Sequence, residues 1–396
     1  MKTFTKMVAA VLTASLALCS AAPVKAENND ISYDILIPIE NTPFAPSFNS
    51  DEEMLKYIRS KMCNRIESFS VARKGMDIAE ADDYRDKLLT KIFDYTGNPK
   101  EGNYLFLGVR NINASTYSEN DIFTIDFKVS YMTTYDQEAE LDTQIKNLVS
   151  AMPLILGNNY QNLPDAEKIA KGYDYFVKLM KNVEHVEDKN DPSLYSAYSV
   201  LINKKANSIG FVQLFIRTLA EIGIESKVIL TPIDLTGKLG SHFIPAVCID
   251  GTYYLCDPVS DFILGNGDNK FLLKGVNDFD SSEEYKQAVE KQGTPLNKLA
   301  EQNGVALYSY DKKFEFGDVS GDGLIDSVDA SMILAEYARL STSDKCGIFS
   351  AGQKTAADID KNGHIDSVDT SIILSYYAYK STSSDNKTLS DFVSKK

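Results

Sequence analysis

The sequence predicts two kinds of structure in series: an α+β body with helices packed on antiparallel sheet, then a small all-α module of two loop–helix repeats. Three observations predict this. Residues 193–260 carry a helical apolar pattern, strand-like runs and one tight hairpin signal. Residues 318–329 and 358–369 share one twelve-residue pattern, each followed by an apolar-rich helical stretch. The chain is 43% hydrophobic, which places it among globular rather than disordered proteins.

The first residues are set apart from that plan. Lys2 and Lys6 precede the apolar run MVAAVLTASLAL at 7–18, and Val24-Lys25-Ala26 supplies an A-x-A-like cleavage site. Residues 1–26 therefore read as a secretory signal peptide, and the run is too short to span a bilayer. No later segment reads as membrane-spanning, so the mature chain is expected outside the cell. The formal charge is −15, and loss of the three lysines in residues 1–26 would make it −18. So acidic a chain is a poor binder of nucleic acid. Cys63, Cys248, Cys256 and Cys346 would remain, without a C-x-x-C pair or regular spacing, which excludes a disulfide framework and a zinc site.

In the body, helical patterns occur at 52–67, 81–95, 136–150 and 164–184, and strand-like alternation at 104–111 and 121–133. Phe211, Phe215, Leu219 and Ile222 then recur at helical spacing, and Gly223 provides a stop. Residues 226–231 read as a strand. Asp250-Gly251 is a two-residue hairpin signal. Pairing outward sets Cys248 opposite Tyr253, Ala246 opposite Leu255, and Ile244 opposite Asp257. Side chains alternate along a strand, so His242 and Asp257 become diagonal neighbours within hydrogen-bond reach. That is the base and orienter of a catalytic triad, or else His242 is a core histidine. Cys248 shares the His242 face but lies about 20 Å along it, and Cys256 is expected on the opposite face.

The repeats read DVSGDGLIDSVD from Asp318 and DIDKNGHIDSVD from Asp358, identical at seven of twelve positions. Oxygen side chains stand at positions 1, 3, 5, 9 and 12: Asp318, Ser320, Asp322, Asp326 and Asp329, then Asp358, Asp360, Asn362, Asp366 and Asp369. Gly323 and Gly363 stand at position 6. Calcium takes such a set of hard oxygens, with glycine at the sharp turn and a backbone carbonyl at position 7, here Leu324 and His364. Two calcium ions are expected. Position 12 is Asp rather than Glu, and residues 311–317 show no helix before the first loop.

A tandem loop–helix pair of this kind resembles the type I dockerin of cellulosomes, over about residues 314–384. The resemblance implies a cohesin module of a scaffoldin as partner. It also implies contact through positions 10 and 11, here Ser327 and Val328, and Ser367 and Val368. The similar halves imply two docking faces related by a half-turn. Chelation is expected to loosen residues 314–384 and leave the body folded.

The body has its own resemblance. YSAYSVLINKKANSIGFVQLF, Gly223-Ile224, His242 and Asp257-Pro258 resemble, in order, the motifs of the transglutaminase-like superfamily, relatives of papain-like cysteine peptidases. Counting back from Gly223-Ile224 sets the family's nucleophilic Cys at Ser208, with Ile209 where Gln is usual. The match spans roughly 193–260. Ser208 is then either a nucleophile with His242 and Asp257, or a hydroxyl serving the helix start. A serine hydroxyl stays protonated where a thiol would ionise, so it needs general-base help.

The expected plan is a signal peptide (1–26), a transglutaminase-like domain (27–313), a dockerin (314–384) and a C-terminal tail (385–396). The chain would be a secreted, cell-surface cellulosome subunit whose body binds protein or glycan without catalysis. The alternative is an active Ser-His-Asp hydrolase of extracellular protein. A polysaccharide-degrading hydrolase acting on plant cell wall is suggested only by the company dockerins keep.

Overall fold

The computed structural model describes residues 45–74, 81–119, 122–186, 188, 190–233, 239–264, 269–278, 296–342 and 347–394. The expected signal peptide and Cys346 lie outside the described residues. Among these residues no helix is long and apolar enough to cross a membrane. The fold class is α+β, with antiparallel sheets and a helical C-terminal region. The chain divides into two compact units, Met1–Gln161 with Lys178–Gly223, and Asn162–Val177 with Ile224–Lys396. The sheet of residues 226–255 and the C-terminal repeats thus share one unit, across the boundary expected at 313/314.

In the first unit, helix α1 (Asp51–Cys63) starts where Ser50 caps it by accepting the Glu53 N–H. Met54, Leu55, Ile58 and Met62 recur at three- and four-residue spacing and are buried. They join a core with Val71 on β1 (Ser68–Lys74) and Phe123, Ile125, Phe127 and Val129 on β3 (Ile122–Tyr131). This antiparallel sheet has the order β1-β3-β2, with β2 spanning Val109–Glu119. Helix α2 (Ala81–Ile92) adds Leu88 and Ile92 to the same core.

One expected element changes type. Residues 104–111 read as a strand, but the structure has helix α3 (Gly102–Gly108), and β2 begins only at Val109. A short apolar run does not distinguish helix from strand by periodicity. Tertiary contact decides here: Tyr104 is buried and donates to Glu138 on α4 (Tyr135–Leu156) at 2.7 Å. Helix α4 opens with a Thr134/Gln137 capping box and ends at Gly157, whose φ is +114°. It is followed by α5 (Asp165–Met180) and by the short parallel pair β4 (Glu184–His185) and β5 (Lys205–Ala206).

Helix α6 (Ser208–Glu221) is buried along most of its length. At Gly210 a Cβ would stand 2.8 Å from the Leu194 carbonyl oxygen, so glycine lets the helix start seat against residues 194–196. The helix carries two buried polar residues inward. Gln213 accepts the Ala197 N–H at 2.7 Å and donates to the Tyr104 carbonyl at 3.2 Å. Arg217 is 1% exposed, pairs with Asp142 at 2.9 Å and Glu221 at 2.6 Å, and lies over the Tyr104 ring. Nearby, Arg65 meets Glu138 at 2.6 Å. Burial works to raise the Glu138 carboxyl, but Arg65 and hydrogen bonds from Thr133 and Tyr104 hold it below its ordinary value.

In the second unit, β6 (Ser226–Ile233), β7 (Leu239–Ile249) and β8 (Thr252–Leu255) form an antiparallel sheet in that order. The Asp250-Gly251 turn has φ of +50° and +75°, the two-residue primed turn that the sequence predicts. Cys248 faces Tyr253 and Ala246 faces Leu255, as expected. The ladder stops there. Ile244 does not pair with Asp257, because the chain turns at Asp257 into helix α7 (Pro258–Leu264). Helix α8 (Leu296–Asn303) follows.

The C-terminal repeats place α9 (Ser327–Leu340) beside α11 (Ser367–Thr382), with the short helix α10 (Ala351–Ala357) between them. Val319, Ile333, Phe349, Ile359, Ile373 and Tyr376 fill their core. The expected tail contains helix α12 (Leu389–Val393). Its Leu389 is buried in that core, and Phe392 meets Tyr376 and Tyr379.

The Arg65–Glu138 pair generates a test. Glu138→Ala strands a buried guanidinium, and breaking such a pair costs about 3–5 kcal/mol. Urea unfolding followed by a first-unit probe is expected to show a loss of this size. Arg85→Ala, which removes a partly exposed pair with Asp82 and Asp86, is expected to cost under about 1 kcal/mol.

Candidate functional site

Two constellations carry chemistry. The first sits on the β6–β8 sheet. His242 lies on the central strand β7, opposite Thr231 of β6, and is 7% exposed. Its Nε2 meets Asp257 Oδ2 at 2.7 Å, and Asp257 is fully buried. The pairing expected from the hairpin is present, although Asp257 reaches it from a helix start instead of a strand.

That placement explains how the carboxylate tolerates burial. Its Oδ1 accepts the N–H groups of Val259 and Ser260, at 3.1 and 3.0 Å. The Ser260 hydroxyl donates to Oδ2 at 2.7 Å. Asp257 is thus the cap of α7, with Pro258 in the first helical position, where a missing N–H does no harm. Its own N–H goes to the Phe271 carbonyl at 3.0 Å. Burial pushes the Asp257 carboxyl up, but His242 and the Ser260 donors outweigh it and hold the group below its ordinary value. Nearby, Tyr173 donates to Asp261, whose carboxyl is raised by burial.

Ser208 lies in the first unit, and His242 and Asp257 lie in the second. Ser208 is the first residue of α6 and is half-buried. It does not cap its helix. Asn207 does, accepting the N–H groups of Ile209 and Gly210 at 3.0 and 3.1 Å. The cap reading of Ser208 is thereby corrected: its hydroxyl is not committed to the helix start. Sequence reasoning passed over Asn207, although Asn is among the strongest N-caps. It also passed over Gln213 and Ser260, which had no motif of their own.

Neither Cys63 nor Cys256 is activated. Burial pushes the Cys63 thiol up to about 11 and the Cys256 thiol up to about 12. Such groups stay thiols at neutral pH.

The second constellation is the loop pair. Gly323 and Gly363 have φ of +85° and +84°, with nothing within 4 Å of a Cβ at either. Glycine is needed there for its backbone conformation, not for space. The last carboxylate of each loop organises the backbone. Asp329 accepts from Ser320 and Asp326, and Asp369 accepts from Ile359 and Asp366. Asp326 and Asp366 cap α9 and α11.

In the second loop, oxygens of Asp358, Asp360 and Asp369 lie within 4.8 Å of one another. Asp358 Oδ2 accepts the Gly363 N–H, while its Oδ1 is buried with no hydrogen-bond partner among the described residues. A buried carboxylate oxygen without a donor beside two further carboxylates fits a hard cation. Burial also raises the Asp329 and Asp369 carboxyls. Leu324 and His364 are exposed, which leaves position 7 to the backbone carbonyl.

Ser327, Val328, Ser367 and Val368 open the two helices and are exposed. Their surroundings match across the repeat. Val328 and Val368 are 49% and 48% exposed, Leu334 and Leu374 are 48% and 45%, and Tyr337 and Tyr377 are 37% and 41%.

Residues 157–258 match the transglutaminase-like superfamily, and residues 316–376 match the type I dockerin domain. The chain therefore carries a transglutaminase-like domain followed by a type I dockerin. A dockerin of this type binds calcium and implies a cohesin partner within an extracellular cellulosome. No curated protein matches the chain. One solved structure it resembles is titled "Crystal structure of a TGase", at 12% identity and a TM-score of 0.26. That match covers 55% of this chain and 59% of the other.

The Asp257 geometry predicts a pH dependence. Its folded value lies below the ordinary 3.8, so its stabilisation is full above that value. It is lost as the pH falls through the folded value. The stability lost on Asp257→Asn, measured by urea unfolding, is therefore expected to shrink below about pH 4.

Proposed function

We propose that the chain is a secreted cellulosome subunit, exported by residues 1–26, whose dockerin holds two calcium ions. Its transglutaminase-like domain keeps an inherited site with serine in place of the nucleophilic cysteine, and binds protein or glycan without turning it over. The reading rests on one observation: a buried His242–Asp257 pair, while burial holds the thiols of Cys63 and Cys256 protonated. Ser208 stands where the family carries its Cys, at the start of a helix whose partial positive charge would favour a thiolate. A hydroxyl gains much less from that field, because it does not ionise near neutral pH. Ile209 follows it, where the family usually has Gln.

A second reading has a specific observation behind it. The His–Asp pair is the base and orienter that a serine nucleophile requires, and a serine hydrolase would use Ser208, His242 and Asp257 in those roles. Extracellular protein is its substrate class. A fluorophosphonate probe separates the two readings. The binding reading expects Ser208 in the native chain to stay unlabelled, and labelling abolished by His242→Ala would establish the hydrolase instead.

The inherited site is tested by Ser208→Cys. Iodoacetamide at about pH 6 is expected to alkylate the new thiol well ahead of Cys63 and Cys256, with the peptides read by mass spectrometry. His242→Ala is expected to slow it. If residue 208 labels no faster than the native cysteines, the inherited site is refuted.

For the dockerin, calorimetry on the full chain is expected to show two calcium ions, and one after Asp358→Ala. A cohesin panel is expected to yield a calcium-dependent partner. Val328→Asp or Val368→Asp alone should leave that binding largely intact, and the two together should abolish it.

A further inference from the structure

The β6–β8 sheet does not end at β8. Tyr253 of β8 donates its N–H to the Gly304 carbonyl at 3.0 Å and accepts from Ala306 at 2.8 Å. Leu307, next in that segment, donates to the Ile348 carbonyl at 3.1 Å. Residue 348 lies between the two calcium loops. The backbone hydrogen bonding of the sheet thus runs into the dockerin.

Side chains close the same seam. The Thr252 hydroxyl donates to the Phe349 carbonyl at 3.3 Å, and the Ala351 N–H donates to the Tyr254 hydroxyl at 2.9 Å. Lys354 reaches the Asp250 carbonyl at the hairpin turn, at 2.8 Å. Thr252, Tyr254, Ile348 and Phe349 are all nearly inaccessible to water.

The same residues belong to the dockerin. Phe349 lies in the core with Ile333 and Ile373 of the two repeat helices. The N–H groups of Ile348 and Phe349 both donate to the buried Glu336 carboxylate of α9, at 3.0 Å each. Gln353 donates to the Val319 carbonyl at 2.9 Å, one residue into the first calcium loop. Tyr308, just beyond the sheet segment, donates to the Ser320 carbonyl of that loop at 3.2 Å. A Cβ at Gly352 would overlap the Lys312 carbonyl, so the segment sits flush against the chain leading into the first loop.

We propose that calcium held by the dockerin loops stabilises the β6–β8 sheet carrying His242 and Asp257, through the shared segment 347–354. The inference rests on calcium binding by these loops. A ligand that binds only the folded form stabilises whatever must unfold to release it. The dockerin core cannot open without withdrawing Phe349, and that exposes Thr252 and Tyr254 on β8. The ions thus act as structural metals for the sheet as well as for the docking helices. This reverses the sequence-based expectation that chelation leaves the body folded.

Hydrogen exchange of the full chain, read by mass spectrometry with excess calcium and with EGTA, tests this. Protection of residues 242–255 is expected to fall together with that of 318–329 and 358–369. The fall is about 100-fold for each ion held at 100 times its dissociation constant. Strands β1 and β3 of the first unit are expected to stay unchanged. Tyr254→Phe, which removes the acceptor for Ala351, is expected to weaken protection of β8 while the loops still respond to calcium. If EGTA opens the loops and leaves 242–255 protected, the coupling is refuted and calcium binding stands. If EGTA changes neither, calcium binding itself fails and the coupling falls with it.

Discussion

A carboxylate with no access to water has to be surrounded by donors, and the β6–β8 sheet is arranged to meet that demand at Asp257. The imidazole of His242, two backbone N–H groups and the Ser260 hydroxyl supply it. Each donor fixes one piece of structure. The N–H groups require a helix to start at residue 258, which ends the β7–β8 ladder at Leu255. The imidazole requires His242 to face inward on the central strand, which fixes the register against β6 and β8. Removing the charge would leave the imidazole without its orienting partner and the first turn of α7 without its cap.

The dockerin solves a related problem twice, with different chemistry in each half. In both loops the last Asp ties loop backbone to helix start. The residue seven positions further on then anchors the segment that follows its helix. In the first half this is Glu336, which accepts two N–H groups from Ile348 and Phe349. In the second it is Tyr376, which donates to the Lys387 carbonyl and meets Phe392. The outer faces stay alike while the inner anchors diverge. Selection for one shared partner would act on the outer faces alone.

Much of this was legible in the sequence where local chemistry dictates structure. Asp250-Gly251 specifies its turn, the turn specifies the register, and the register brings His242 towards Asp257. The calcium loops are legible because oxygen ligands and glycine at fixed offsets serve few other purposes. Four features were not legible. The helix at Gly102–Gly108 is chosen by the burial of Tyr104 against Glu138, a partner distant in sequence. Helices α10 and α12 are too short to show a period. The cap at Asn207 was hidden by the neighbouring Ser208, whose place in the family's motif drew the reading one residue too far. The seam at 347–354 has no motif at all, since it consists of backbone groups with Phe349, Gln353 and Lys354, whose partners are distant in sequence.

That seam bears on how the subunit would ride on its scaffold. A domain hung from a pliable leash sweeps out a sphere, and its reach is set by the leash. Here Tyr308 and Phe314 meet edge to face at the approach to the first loop, and Tyr310 meets Tyr254 of β8 in the same way. On the proposed coupling, the grip and the sheet would move as one piece. A cohesin closing on α9 or α11 would then set the compass bearing of the His242–Asp257 pair. Changing from one helix face to the other would turn the sheet about, in the manner of a bracket reversed on its bolt.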